Sequence, residues 1–173
     1  MDHFAMRRLF YLFLFFLPLF LVFSRPREED VPAAPPELVV AAEQGDLPVV
    51  EELLADLDSA DLRDSCDWTP LMKAALNGHV EVVRRLLAHG AEVDAQDKGG
   101  YTAMMLAASN DHREIVELLL DAGADIDHRE HTRGWTAVDW ALRAGHREMV
   151  ALLKRRGARV SVGQCPDCSV HDG

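Results

Sequence analysis

Two cysteines near the end of the chain have residue types and a spacing that could do chemistry. Cys165 and Cys168 are separated by two residues, and His171 follows after two more. Two thiols at this spacing can close a redox-active disulfide, and a C-x-x-C-x-x-H pattern can hold a metal ion. A thioredoxin-like site also needs a neighbouring βαβ pattern, and a zinc ribbon needs a second cysteine pair, neither of which the sequence contains. The alternative is a flexible tail over 163–173, with or without a disulfide.

Three histidines recur at a nearly constant spacing and could suggest a metal site: His79, His112 and His146. Such regular spacing places one histidine on each of three successive structural units, whose equivalent atoms lie about 10 Å apart when helices pack. A single zinc ion holds each histidine nitrogen at about 2 Å. Glutamates follow at a fixed offset, where a carboxylate favours the start of a helix: Glu81, Glu114 and Glu148. We therefore predict a structural role for both sets, and no bound metal or cofactor.

Charge and composition argue against several classes of function. The chain has 18 Lys and Arg against 29 Asp and Glu, a formal net charge of −11. Such a surface repels the phosphates of nucleic acids. No catalytic triad, paired-carboxylate cleft or phosphate-binding loop is visible, so we predict that the protein is not an enzyme. Three cysteines cannot form a disulfide framework, so the core must come from packing.

The start of the sequence has the composition of a targeting segment. Residues 9–23 are uncharged and almost wholly apolar, and two arginines precede them. A helix over this run spans about 22 Å, short of the roughly 30 Å hydrocarbon core of a bilayer. Pro18 weakens such a helix further. We therefore predict a signal peptide over 1–24.

An uncleaved membrane anchor over residues 9–23 is the alternative, and in both cases the domain that follows is exported. The next segment, 25–36, reads RPREEDVPAAPP, a composition that favours an extended, solvated linker. Richness in Ala, Leu and Arg is compatible with a bacterial origin. The expected location is then the periplasm, or the outer side of a membrane to which the protein is anchored.

A repeated pattern organises the rest of the chain. TPLMKAA at Thr69 recurs as TAMMLAA at Thr102 and as TAVDWAL at Thr136, and a degenerate copy precedes them around Ala41-Ala42. A period of about 33 residues indicates an array of stacked units. Each threonine is a good helix N-cap, and the glycine that follows several residues later can turn the chain into a second, amphipathic helix. Helices this short are stable only when stacked copies bury one another's apolar faces.

This pattern resembles the ankyrin repeat family through T-P-L-x-x-A-A, the run GHVEVVRRLLAHGAEVD from Gly78, and the period itself. The resemblance covers Pro36 to Ser161. It implies an all-α solenoid of about four helix-turn-helix units over 37–162, a slightly curved stack with turns projecting along one side. The expected units are an N-cap repeat 37–65, two central repeats 66–98 and 99–132, and a C-cap repeat 133–162. Lys154, where earlier repeats have leucine, suits an end unit.

The sequence also departs from the family pattern. Where the family has histidine after the T-P-L triplet, this chain has Met72, Met105 and Asp139, so the hydrogen bond from that imidazole is missing. Asp67 and Asp111 stand where turn glycines are expected. Aspartate tolerates the left-handed backbone region better than most residues, so we expect little strain there.

Recognition of another protein is the function that this resemblance implies. Trp68, Tyr101 and Trp135 recur just before the three N-cap threonines, and we call them the aromatic column. They could line the concave face as partner anchors, or each ring could simply cover the turn of the next repeat. The resemblance to ankyrin binding surfaces extends the predicted partner-binding set to further turn and first-helix residues: Asn77, Lys98, Ser109, Asn110, Arg133 and Arg143.

We therefore expect an exported, non-catalytic, monomeric adaptor that binds another protein through turn tips and the concave face. No nucleic acid is expected as a partner, and the membrane is expected to matter only through the N-terminal apolar segment. The alternative is a thiol-redox or metal-handling factor that uses Cys165 and Cys168 on an ankyrin scaffold.

Overall fold

The computed structural model describes residues 36–160, which form eight α-helices and no strand. The helices come in pairs along the chain. The first helices of the pairs are α1 Glu37–Gln44, α3 Pro70–Asn77, α5 Ala103–Ser109 and α7 Ala137–Ala144. The second helices are α2 Leu47–Asp56, α4 Val80–Ala88, α6 Arg113–Asp121 and α8 Arg147–Arg155. The all-α prediction is thus confirmed for this part of the chain.

Several predictions fall on other residues. The signal peptide or anchor over 1–24, nearly all of the linker over 25–36, and the tail with Cys165 and Cys168 lie outside the described residues. Among residues 36–160, none of the helices is long and apolar enough to cross a membrane.

The helix pairs stack in chain order. Each first helix packs against its own second helix and against the first helix of the next pair, and α2, α4 and α6 pack side by side. Leu86, Leu119 and Leu153 occupy equivalent positions in the second helices and are completely buried. Burial of a leucine side chain stabilises a fold by about 1.5–3 kcal/mol. The core is therefore a row of small, repeated contacts between neighbouring pairs.

The residues at the family's histidine position have new roles. Met72 and Met105 are buried in the core, with no more than 1% of each exposed. In the last unit, an Asp139 carboxylate oxygen instead accepts hydrogen bonds from the backbone N–H and the hydroxyl of Thr136, both at 3.0 Å. Packing and a capping carboxylate thus replace the missing imidazole at the start of these helices.

The N-cap threonines are less uniform than the sequence suggests. The Thr69 hydroxyl accepts a hydrogen bond from the backbone N–H of Met72 at 3.3 Å, as expected. Thr102 precedes α5 at the same position, but its side chain makes no capping hydrogen bond. Its hydroxyl oxygen is buried and has no hydrogen-bond partner among residues 36–160. Thr102 is therefore the N-cap residue of α5, as predicted, but without the side-chain hydrogen bond that Thr69 makes.

Histidines link each pair to the one before it. Nε2 of His79, His112 and His146 lies 3.0–3.1 Å from a backbone carbonyl oxygen of the preceding first helix, at Glu43, Leu76 and Ser109 respectively. Because a carbonyl only accepts, Nε2–H is the donor in each case. The histidine set is thus structural, as the spacing predicts.

Aspartates form a second set of links on the connecting loops. The carboxylates of Asp61, Asp94 and Asp127 accept hydrogen bonds at 2.8–3.1 Å from backbone N–H groups at the equivalent loop of the next unit. A charge-assisted hydrogen bond of this kind is stronger than a neutral one. These aspartates fix the loop of one unit to the loop of the next.

The last unit exposes positions that are buried elsewhere. Leu142 is 40% exposed, whereas the equivalent Ala75 and Ala108 are completely buried under the following pair. Lys154 is also exposed. Within the described residues, Leu142 is the one large hydrophobic side chain with this degree of exposure.

Candidate functional site

The turns that precede α3, α5 and α7 project from the stack, and we call them the fingers: 64–68, 97–101 and 130–135. In the first two, an aspartate organises the turn. Oδ1 of Asp64 and Oδ1 of Asp97 each accept hydrogen bonds from the backbone N–H groups two and four residues later, at 2.8–3.0 Å. Asp67 and Gly100 have positive φ, 66° and 79°. The prediction that Asp67 replaces a turn glycine is therefore confirmed.

The third finger is one residue longer, and Glu130 takes the place of the aspartate. Its carboxylate accepts hydrogen bonds from the Thr132 hydroxyl and from the backbone N–H groups of Thr132, Arg133 and Trp135. Burial raises the pKa of Glu130, but these hydrogen bonds together outweigh burial and hold the pKa below the usual 4.5. Glu130 is 2% exposed and is therefore a structural carboxylate.

Neighbouring fingers are also joined to each other. Lys98 Nζ donates to the Ser65 carbonyl at 2.6 Å. The guanidinium of Arg63, the residue before the first finger, donates at 2.7 Å to the carbonyl of Gln96, the residue before the second. The backbone N–H of His131 donates to the Gly99 carbonyl at 2.9 Å. The fingers therefore form one continuous surface. Lys98, predicted as a partner-binding residue, is exposed and is held by this network.

The aromatic column does not form a simple row of three rings. Trp68 is half-buried, and Lys73 Nζ lies 5.0 Å from its ring centroid. Tyr101 is half-buried and Trp135 is buried, with 7% exposed. Trp140 of α7 lies between the last two, with its ring centroid 5.5 Å from that of Tyr101 and 5.0 Å from that of Trp135. We call Tyr101, Trp135 and Trp140 the aromatic cluster.

The three residues of the aromatic column differ in accessibility, and their role stays a prediction. Trp135 is buried and offers little surface to a partner. Trp68 and Tyr101 keep part of their rings accessible, as an anchor requires. The indole nitrogen of Trp140 is buried and has no hydrogen-bond partner among the described residues.

Two arginines flank the aromatic cluster. The guanidinium carbons of Arg133 and Arg143 lie 5.1 and 5.4 Å from the ring centroid of Trp135, within cation–π distance. Both residues are exposed. Both were predicted from the sequence as partner-binding residues, and the structure brings them to one ring.

The remaining predicted partner-binding residues lie at the ends of the first helices. Asn77 Nδ2 donates to the Lys73 carbonyl at 2.9 Å. Ser109 Oγ and Asn110 Nδ2 donate to the Leu106 carbonyl at 2.9 and 2.8 Å. These side chains satisfy carbonyls at the end of a helix, and the two asparagines are exposed enough to meet a partner as well.

Sequence reasoning missed Glu130 and Trp140. A signal for Glu130 exists: the next aromatic residue follows at the fifth position there and at the fourth after Asp64 and Asp97, so a longer acidic side chain is needed. Trp140 is equivalent to Lys73 and Leu106, and three such different residues give no visible column.

Two cavities lie away from the fingers, between neighbouring second helices. One of about 400 Å³ is lined by Arg113, Glu117, Glu148, Ala151, Leu152 and Arg155. Another of about 290 Å³ is lined by Glu51, Leu54, Ala55, Arg85, Ala88 and His89. They are repeated grooves between second helices. Residues 36–160 contain no group of three or more His, Cys, Asp or Glu side chains placed to hold a metal ion.

Stacked helix pairs joined by projecting turns define the protein as an α-helical repeat solenoid. A family model described as ankyrin repeats (3 copies) matches residues 38–130, and one described as ankyrin repeats (many copies) matches residues 114–153. The chain therefore belongs to the ankyrin repeat family, and ankyrin repeats indicate a module for protein–protein interaction. Comparison with curated proteins gives no match.

Proposed function

We propose that this chain is a non-catalytic adaptor that binds another protein through the fingers and the adjoining first helices. The observation that carries the proposal is the aromatic cluster, because two of its residues, Tyr101 and Trp140, are partly exposed beside fingers that are fixed to one another. Tyrosine, tryptophan and arginine are the residues in which binding energy is most often concentrated at protein interfaces. A rigid surface also loses little conformational entropy on binding.

We further propose that the repeats act after export, either released into the periplasm or held at a membrane by residues 9–23. The support is the sequence itself. Two arginines precede a short apolar run, and a proline-rich segment follows that run before the first repeat. N-terminal sequencing of the mature chain tests this. A new N-terminus near Ser24 supports a cleaved signal, an intact Met1 in a membrane fraction supports the anchor, and an intact chain in the cytoplasm contradicts export.

Affinity capture with matched variants tests the binding proposal. Wild-type chain, a Trp68→Ala/Tyr101→Ala variant and a Glu52→Ala/Glu117→Ala control are each used to capture proteins from an envelope fraction, which are quantified by mass spectrometry. The control residues are exposed on second helices, away from the fingers. Circular dichroism and thermal melting establish that all three fold.

We expect at least one protein that wild type and control retain equally and that the aromatic variant retains at least about tenfold less. Loss of an interface anchor costs on the order of 2 kcal/mol, which corresponds to about thirtyfold in affinity. Full retention by the aromatic variant, or equal loss in the control, would contradict binding through the fingers.

A further inference from the structure

We infer that the bound partner presents an acidic segment, whose carboxylates pair with Arg133 and Arg143 while an adjoining apolar side chain packs on Tyr101 and Trp140. This inference rests on the proposed protein-binding function and names the chemistry of the partner.

The first support is the distribution of paired cations. Every Lys and Arg between residues 36 and 132 has a carboxylate or backbone carbonyl partner: Arg63, Lys73, Arg84, Arg85, Lys98, Arg113 and Arg129. In the last unit, five cations have no such partner within residues 36–160: Arg133, Arg143, Arg147, Lys154 and Arg155. The surface of this unit therefore has cationic donors that the described chain does not satisfy.

The second support is the distribution of charge along the stack. Residues 37–65 contain nine acidic residues and one basic residue, whereas residues 133–160 contain seven basic residues and two acidic ones. The last unit is thus a basic region in an acidic molecule. An acidic segment is attracted to this end of the finger surface and repelled by the other end, which fixes its position on the stack.

The third support is the geometry of the two arginines. Both guanidinium carbons lie over the Trp135 ring, at 5.1 and 5.4 Å from its centroid, so one short segment can reach both. A guanidinium stacked on a ring keeps its in-plane N–H groups available for a carboxylate, and stacking reduces the mobility that binding must remove. The nearby acids are already engaged, because Asp139 accepts from Thr136 and Glu130 accepts from the backbone of its own finger.

The aromatic cluster decides between an acidic protein segment and other anions. A nucleic acid that extended along the finger surface would place phosphates against the acidic first unit, which repels them. An isolated anion would use the arginines alone and leave the accessible parts of Tyr101 and Trp140 uncovered. A peptide segment offers a carboxylate and an apolar side chain a few ångströms apart, which matches arginines and aromatic rings on one surface.

Selection from a random peptide display library tests the inference. The full-length chain is immobilised in an uncharged detergent, and the selected peptides are measured by fluorescence anisotropy against three proteins. These are wild type, Arg133→Gln/Arg143→Gln, and the control Lys154→Gln/Arg155→Gln, which removes the same charge from the far end of α8. All four substituted side chains are exposed, and circular dichroism checks that each variant folds.

We expect enrichment of Asp and Glu beside an apolar residue. Affinity should fall about tenfold or more in Arg133→Gln/Arg143→Gln, because charge-assisted pairs are lost. The control should change affinity by less than about twofold, as expected for exposed charges away from the site.

Other results would overturn the inference in distinguishable ways. Selected peptides without acidic residues, or bound equally by Arg133→Gln/Arg143→Gln, would reject the acidic segment and leave protein binding intact. Failure to select any peptide, together with undiminished capture by Trp68→Ala/Tyr101→Ala, would reject the proposed function as well. If no peptide were enriched and the chain sedimented with phosphatidylserine vesicles in a way that depended on Arg133 and Arg143, the ligand of these arginines would be an anionic membrane and not an acidic segment.

Discussion

Glu130 adapts the third finger to its extra residue. The carboxylates of Asp64 and Asp97 accept a hydrogen bond from the backbone N–H four residues later. The Glu130 carboxylate accepts one from the backbone N–H five residues later. The extra methylene gives its carboxylate the reach to accept three backbone N–H groups. A single lengthened side chain therefore preserves the position of Trp135 and, through it, the two arginines on its ring.

The first prediction concerns the charge of this residue. Glu130→Gln places amide hydrogens among backbone donors and should lower the free energy of unfolding at neutral pH by about 1–3 kcal/mol. Because the pKa of Glu130 is lowered in the folded state, its stabilisation is present above the usual glutamate pKa and is lost as pH falls through the folded value. The difference between the two proteins should therefore shrink on acidification.

Urea unfolding at several pH values measures that difference. Asp58→Asn, which changes an exposed carboxylate just after α2 in the first unit, serves as the comparison for general effects of charge. A gap between Glu130→Gln and wild type that stays constant from neutral to acidic pH would contradict the role assigned to the carboxylate.

Residue types also explain what could be predicted and what could not. Asp67 and Asp111 were expected in place of turn glycines, and their φ values of 66° and 58° agree, because backbone position follows from the repeat register. The contacts of Trp140 with Tyr101 and Trp135 could not be predicted, because they depend on the directions of side chains from two different units. The same limit applies to Thr102, whose hydroxyl lacks, among the described residues, the partner that its position in the pattern suggests.

At the scale of elements, a glycine corner and the histidine of the following unit form one contact. Gly78 ends α3 with a φ of 80°, and a Cβ added there would lie 2.7 Å from Cε1 of His112. Gly145 ends α7 with the same φ, but a Cβ there would meet nothing within 4 Å among the described residues. The two corners have the same backbone conformation and differ in whether a histidine covers them.

The second prediction uses this matched pair. Gly145→Ala should cost about 1–2 kcal/mol of unfolding free energy, the cost of a left-handed backbone for a residue with a Cβ. Gly78→Ala should cost about 1–3 kcal/mol more, because the histidine must also move. Urea unfolding measures both losses. Equal losses in the two variants would show that His112 does not pack against the Gly78 corner.

A double-mutant cycle isolates the contact itself. Gly78→Ala combined with His112→Ala should lose less than the sum of the two single changes, because removal of the ring removes the clash. Strict additivity would mean that the corner and the ring do not interact.

At the scale of the molecule, stability is shared between neighbouring units. A central pair has a neighbour on both sides, whereas the last described pair has a neighbour on one side only. Leu142 is exposed on its other side. In such a stack, stability is approximately the sum of the units and their interfaces. An equal loss of packing should therefore have different consequences in the centre and at the end.

The third prediction compares Leu119→Ala with Leu153→Ala, two equivalent leucines that are both completely buried. Each should cost about 2–5 kcal/mol locally. Leu119→Ala should speed amide hydrogen exchange in α4, α6 and α8 together. Leu153→Ala should speed exchange in α7 and α8 and leave that of α2 and α4 unchanged. Residue-level hydrogen exchange measures this, and equal loss of protection throughout both variants would contradict the stack model.

The repeat period was sufficient to predict the stack and the register of its turns. It could not predict that the described basic residues without partners gather in the last unit, because pairing depends on which side chains meet between units. Only the contacts of the folded chain separate Arg113, which pairs with Glu148, from Arg143, which has no carboxylate partner among residues 36–160.

Hydrogen–deuterium exchange of the full-length chain, with and without a captured partner, locates the binding surface most directly. We expect slower amide exchange in the fingers 97–101 and 130–135 and in α5 and α7, with α4, α6 and α8 unchanged. Slowing confined to the second helices, or no change at saturating partner, would contradict it.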